Sequence, residues 1–194
     1  MTNLVLDIAR RVAPAFINDL FYRSVFGEIL SSPQGLEGLA KYLEYSAIEA
    51  EKFGALFLSS GRDGMAAWIK PQSAEALIPD ALEKLAYIET CFGTGALNRR
   101  SSIVAFMHEK AASHVSPEAW YLSIIAVSPE AQGQGVGQRL IMPAIAEADS
   151  VHVPIYLETF EPKNWSFYNR LGFRVKFTAY EPTVGAEYAL MIRP

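Results

Sequence analysis

The stretch Ser128-Pro-Glu-Ala-Gln-Gly-Gln-Gly-Val-Gly-Gln-Arg-Leu-Ile141 constrains the fold of this chain more than any other. An apolar run, Leu122, Ile124, Ile125, Ala126 and Val127, precedes it. Leu140, Ile141, Ala144, Ile145 and Ala148 follow at helical spacing. Between them Gly133, Gly135 and Gly137 alternate. The pattern is a strand that passes through bare backbone into a helix start. Glycine lets the chain approach an anion closely, the first-turn amides of the helix lack intrahelical partners, and the helix dipole favours negative charge there. Such a loop suits a phosphorylated ligand. It is not the dinucleotide fingerprint Gly-x-Gly-x-x-Gly, because the third glycine comes one residue early, and it is not a P-loop, because Gln138 stands where lysine is required.

Composition narrows the class. A chain of 194 residues suits one domain, and 51% apolar with 20% charged residues describes a globular protein. A net charge of -4 and the lack of any basic block beyond Arg10-Arg11 and Arg99-Arg100 argue against nucleic-acid binding. A lone cysteine, Cys91, forms no internal disulfide and fits a reducing cytoplasm. Its neighbours Leu85, Ile88 and Phe92 suggest a buried packing role. No apolar stretch approaches the ~20 residues that cross a bilayer, and the amino end lacks a basic, apolar leader.

Periodicity predicts helices through residues 12–58, a hairpin from Ala55–Ser59 and Met65–Lys70, and helices over 73–93 and 97–112. Trp120–Val127 and Val153–Phe160 read as buried strands, Asn164–Leu171 as a short helix capped by Gly172, and Phe173–Tyr180 with Ala186–Ile192 as a closing hairpin. The class is α/β with a mixed sheet in one domain, residues 1–194.

These residues resemble the GNAT (GCN5-related N-acetyltransferase) superfamily. Gln132-Gly-Gln-Gly-Val-Gly137 fits its Gln/Arg-x-x-Gly-x-Gly/Ala loop at every specified position. Ala126-Val-Ser-Pro129, Tyr156-Leu-Glu-Thr159 and Asn164-x-x-x-Tyr168-x-x-x-Gly172-Phe173 are similar in order and spacing. The strong match covers residues 118–194, and the helical part, 12–54, resembles the family loosely. The resemblance implies the acyl-CoA N-acyltransferase fold: a twisted sheet of six to seven strands, splayed between the fourth and fifth. It implies transfer of an acetyl group from acetyl-CoA to the primary amine of a small molecule or peptide, and it admits a homodimer. The family opens on a strand, for which only Asn3–Asp7 could serve here.

Such a site holds pyrophosphate, pantetheine, a departing thiolate and an amine's proton. The resemblance assigns pyrophosphate to Gln132, Gly133, Gln134, Gly135, Val136, Gly137 and Gln138, and pantetheine to the backbone of Ile125, Ala126 and Val127, which pairs as an added strand would. Tyr168 is the candidate acid, since a phenol is protonated at neutral pH. Asn164, one turn earlier, faces the same ligand. Glu158, within an apolar strand, is the candidate base if burial raises its pKa; a buried carboxylate satisfied by an arginine or by amides is the alternative. His108 and His114 read as capping or surface residues, and Phe160, Trp165 and Tyr180 as candidates to line the acceptor pocket. A non-catalytic acyl-CoA sensor of the same fold is the competing function.

Overall fold

A computed structural model describes residues 2–194, without the side chains of Thr2, Asn3 and Ala74. The first element, α1 (Thr2–Val12), is helical. Val5, Ile8, Ala9 and Val12 fall on one helical stripe and are fully buried, while Arg10 faces outward and meets Glu37. The segment that could have served as the family's opening strand is therefore helix. α2 (Leu20–Phe26) starts at Asp19, whose carboxylate accepts the Tyr22 N–H at 3.1 Å. α3 (Pro33–Phe53) starts at Ser32, whose hydroxyl accepts the Gly35 N–H at 3.0 Å, with Pro33 in the first turn.

β1 (Gly54–Leu58) and β2 (Gly64–Ile69) form the expected hairpin. α4 (Ala74–His114) is two helices joined at Gly93, whose φ of 81° breaks the helical path between the two predicted segments. Its first half buries Lys84 and Ile88 and lays Phe92 over Gly38. Cys91 is exposed, against the expectation of burial. One residue turns a helix by roughly 100°, so Cys91 leaves the buried stripe that Phe92 continues.

β3 (Trp120–Val127), α5 (Val136–Val151), β4 (Ile155–Thr159), α6 (Trp165–Arg170), β5 (Arg174–Glu181) and β6 (Ala186–Arg193) complete the chain. The six strands form one mixed sheet in the order β1-β2-β3-β4-β6-β5, and β3–β4 is its parallel pair. α5 packs Leu140, Ile141, Ala144 and Ile145 on one face, against Trp68, Trp120 and Leu157. α1 to α4 cover the other face, against Met65, Ala67, Ile124 and Ala126. Among the described residues no helix is long and apolar enough to cross a membrane.

Two irregularities of β3 position the site. Trp68 faces Leu122 and Ala67 faces Ile124, so Ser123 is an extra residue on β3. Trp120 and Leu122 therefore join the α5 side, whereas Ile124 and Ala126 join the opposite core. The pairing of β3 with β4 ends at Leu122↔Leu157, next to this bulge. Beyond it β4 continues with β6, and the β4-facing edge of residues 123–127 has no strand partner. This is the expected splay, and it falls between β3 and β4 because a helix occupies the place of the first strand.

Candidate functional site

The glycine loop lies at the carboxyl end of β3. Gly133 and Gly135 both adopt φ of 75°, a left-handed conformation that a side chain would strain. Gly135 is the cap residue of α5, and no side chain satisfies the helix's first amides. The Gln132 side-chain amide donates to the Val127 carbonyl at 3.2 Å and that of Gln134 to Glu130 O at 2.8 Å. These bonds brace the loop and leave the amides of Val136, Gly137 and Gln138 at the head of a sixteen-residue helix. Arg139 folds back to donate to Gln134 O at 3.0 Å, which adds a cation that the sequence pattern did not single out.

Gly137 lies between two walls of the splay. A Cβ there would meet Phe167 Cζ at 3.4 Å and Ile125 Cδ1 at 3.6 Å. The first turn of α5 thus sits against α6 on one side and β3 on the other. The open edge of Ile125, Ala126 and Val127 runs away from it into the sheet. A loop of left-handed glycines, free amides and an unpaired strand edge fits a phosphate ester joined to an extended, amide-bearing arm.

The slot opens into a cavity of about 690 Å³ on the α1–α4 side of the sheet. Tyr168 and Asn164 line it at the α6 end, and Glu158, Tyr121 and Tyr156 line it from the sheet. α6 is fixed by the turn after it. Leu171 and Phe173 donate their amides to the Tyr168 carbonyl at 3.0 and 3.1 Å, and Gly172, with φ of 93°, closes the turn as expected. Burial raises the Tyr168 pKa, and the nearby charge of Asp19 raises it further. The phenol is therefore held protonated.

Glu158 accepts the Tyr188 hydroxyl at 2.6 Å. Among the described residues neither an arginine nor a backbone amide bonds to it, so that alternative is replaced by tyrosines. Burial raises its pKa, and the hydroxyls of Tyr188 and Tyr121 pull it partly back. Tyr121 and Tyr156 stack with centroids 4.8 Å apart and line the cavity together with this carboxylate.

Asp19 is a further carboxylate at the cavity that sequence reasoning read past. Its pKa rises to about 6, chiefly through burial, against the bond from Tyr22 and with help from Glu161. Glu161 is itself buried and accepts the Leu20 N–H at 3.0 Å. The only sequence signal for Asp19 was that of an ordinary helix cap.

Phe160 lines the cavity as expected. Trp165 instead packs with the α5-side core, and Tyr180 is 67% exposed on the outer strand β5. Neither borders the cavity, because Trp165 starts α6 on its far face and β5 is the sheet's edge. His114 bonds through Nδ1 to the Lys110 carbonyl at 2.8 Å, a helix-end role as expected. His108 borders the cavity, and burial and then Arg100 lower its pKa.

Known proteins share this fold. A Corynebacterium glutamicum structure described as histone acetyltransferase HPA2 and related acetyltransferase is 25% identical with a TM-score of 0.63, over 100% of this chain and 90% of that one. Arylalkylamine N-acetyltransferase 2 from Aedes aegypti has a TM-score of 0.67 at 15% identity, over 99% and 93%. An uncharacterised N-acetyltransferase of Schizosaccharomyces pombe is 36% identical over 62 residues, 32% of this chain and only 25% of the yeast protein's length. Residues 45–173, from α3 through the glycine loop to the Gly172-Phe173 turn, match the model of the acetyltransferase (GNAT) family, and the chain belongs to that family.

Proposed function

We propose that the protein is an N-acetyltransferase that moves an acetyl group from acetyl-CoA to the primary amine of a small molecule. The observation that carries this reading is the continuity of three features. The glycine loop heads α5, the open edge of residues 125–127 starts beside it, and that edge leads into a cavity bearing Tyr168 and Glu158. A cavity of about 690 Å³ is the size of a small-molecule site rather than of a protein groove.

The residues divide the work by position. The amides of residues 133–138 would hold the pyrophosphate, with Arg139 beside them. The backbone of Ile125, Ala126 and Val127 would pair with the pantetheine amides, and Asn164 would hold the arm at the α6 end. Bound acetyl-CoA supplies an activated acyl group, so that a C–N bond to the acceptor forms as the C–S bond breaks and sulfur leaves with the electron pair. Tyr168 donates a hydrogen bond or its proton to that sulfur. Burial beside Asp19 makes its phenolate costly, which favours hydrogen-bond donation over a long-lived transfer. Glu158 takes the amine's proton, directly or through water. Its raised pKa makes it a stronger base than an exposed carboxylate, and Tyr188 fixes its orientation.

Thermal shift with CoA, acetyl-CoA, NAD and ATP tests the binding half of this reading. The two CoA species should stabilise the protein, and stabilisation by NAD with none by CoA would overturn it.

A further inference from the structure

One arginine that borders the cavity has no salt-bridge partner among the described residues. Arg99 and Arg100 are adjacent on α4 but differ in what they meet. Arg99 turns away and donates to the carbonyls of Ser24 and Val25 at 2.7 to 3.1 Å, where α2 ends. Arg100 turns to the cavity, on the same helical face as Val104, Met107 and His108. Its one bond is a long one, from Nε to the Tyr42 hydroxyl at 3.4 Å. Among the described residues no carboxylate pairs with it. Glu49, the carboxylate whose charge reaches it, is already joined to the buried Lys84 at 2.5 Å. His108 beside it is disfavoured as a cation, so it adds no charge of its own. The cavity wall therefore holds a half-buried guanidinium with no carboxylate partner among the described residues and with donors left over from its bond to Tyr42.

A partly desolvated, unpaired guanidinium is costly to the fold, and its planar fork matches a carboxylate in two parallel bonds. The phosphates of the acyl donor do not account for it. Their loop heads α5, which packs on the opposite face of the sheet from α4. The same cavity also carries Asp19, Glu158 and Tyr168, acidic and phenolic groups suited to an amine. We propose that the acceptor carries a carboxylate as well as an amine, as an amino acid does, and that Arg100 binds that carboxylate. The amine half rests on the transferase reading above; the carboxylate half stands on Arg100 alone.

Calorimetric titration of the CoA-saturated protein tests it with matched pairs: L-phenylalanine and 2-phenylethylamine, L-leucine and isoamylamine, L-methionine and 3-(methylthio)propylamine. At least one amino acid should bind about tenfold or more tightly than its amine, the value of one charge-assisted pair. Arg100→Gln should remove that advantage and leave amine affinity within about twofold, and Arg100→Lys should keep part of it. Should Arg100→Gln fail to fold, L-phenylalaninamide against L-phenylalanine on the unaltered protein reads the same term. The proposal is overturned if no amino acid outbinds its amine, or if Arg100→Gln weakens both equally. If the amines are acetylated as efficiently as the amino acids, the carboxylate site falls and the transferase stands. If the amino acids bind through Arg100 and no acetylated product forms, the transferase falls and the site stands.

Discussion

Replacing Asp19 by asparagine isolates the cost of a charge that the fold keeps beside its cavity. Asn is as good a helix cap as Asp, so the bond from the Tyr22 N–H survives and only the charge is lost. The Asp19 pKa rises from 3.8 to about 6. The folded state thus binds this proton more tightly than the unfolded chain does. The group's favourable contribution is complete below about pH 4, and it is lost as the pH rises through about 6. At pH 8 the ionised carboxylate costs the fold roughly 3 kcal/mol, which partial exposure and the loss of its interaction with the α2 dipole reduce to roughly 2 kcal/mol. Asp19→Asn should therefore be more stable than the parent at pH 8 by roughly 2 kcal/mol, which is roughly 4–8 °C in Tm for a chain of this size. Near pH 4 the two should nearly coincide. Urea unfolding of both proteins across pH 4–8 reads the difference directly. Parallel stability curves, or a variant destabilised at pH 8, would refute the claim that burial rather than capping dominates at this residue.

Further perturbations address the slot and its chemistry. Tyr168→Phe keeps the ring and should fold normally. General acid catalysis is typically worth ~10²–10⁴-fold, so turnover should fall by at least about tenfold with CoA affinity nearly unchanged, read by steady-state kinetics and calorimetry. Gly135→Glu should abolish CoA binding, since a side chain and a negative charge would occupy the phosphate path at a residue whose φ of 75° disfavours any Cβ. Gly137→Ala has room at 3.4 Å from Phe167 and should stabilise the helix by about 0.5–1 kcal/mol in thermal melts. Glu158→Gln retains an acceptor for Tyr188 and removes a carboxylate whose folded pKa is raised, so its Tm at pH 8 should equal or exceed the parent's. If Glu158 is the base, the same change should lower turnover and erase the acidic limb of the pH–rate profile.

Much of the frame was legible where one period governs one face. The α5 stripe, both hairpins and the Gly172 turn follow from spacing and glycine placement alone, and the loop motif pointed to the same end of the sheet. Whether a strand or a helix opens the chain was left undecided because Asn3–Asp7 is too short to show a period by itself, whereas Val5, Ile8, Ala9 and Val12 together do. The bulge at Ser123 left no trace, because Trp120, Leu122, Ile124 and Ala126 are evenly spaced apolar residues although they serve opposite cores. The cavity's polar groups were harder still. Asp19 reads as a cap, Arg100 as half of a basic pair, and Tyr188 as one aromatic in a strand. Each acquires its role from partners distant along the chain: Tyr168 for Asp19, Tyr42 for Arg100 and Glu158 for Tyr188. Pairwise meetings of that kind are products of topology, not of local pattern.

The central claim, acetyl transfer through the slot between β3 and β4, is tested most directly by incubating the protein with acetyl-CoA and a broad panel of primary amines and amino acids. Thiol release and the mass of the product are followed together. The expected result is stoichiometric release of CoA and a product heavier by one acetyl group for at least one acceptor, lost in Gly135→Glu and slowed in Tyr168→Phe. Tight CoA binding with no acetylated product across the panel would contradict it and would leave a protein that senses acyl-CoA without using it.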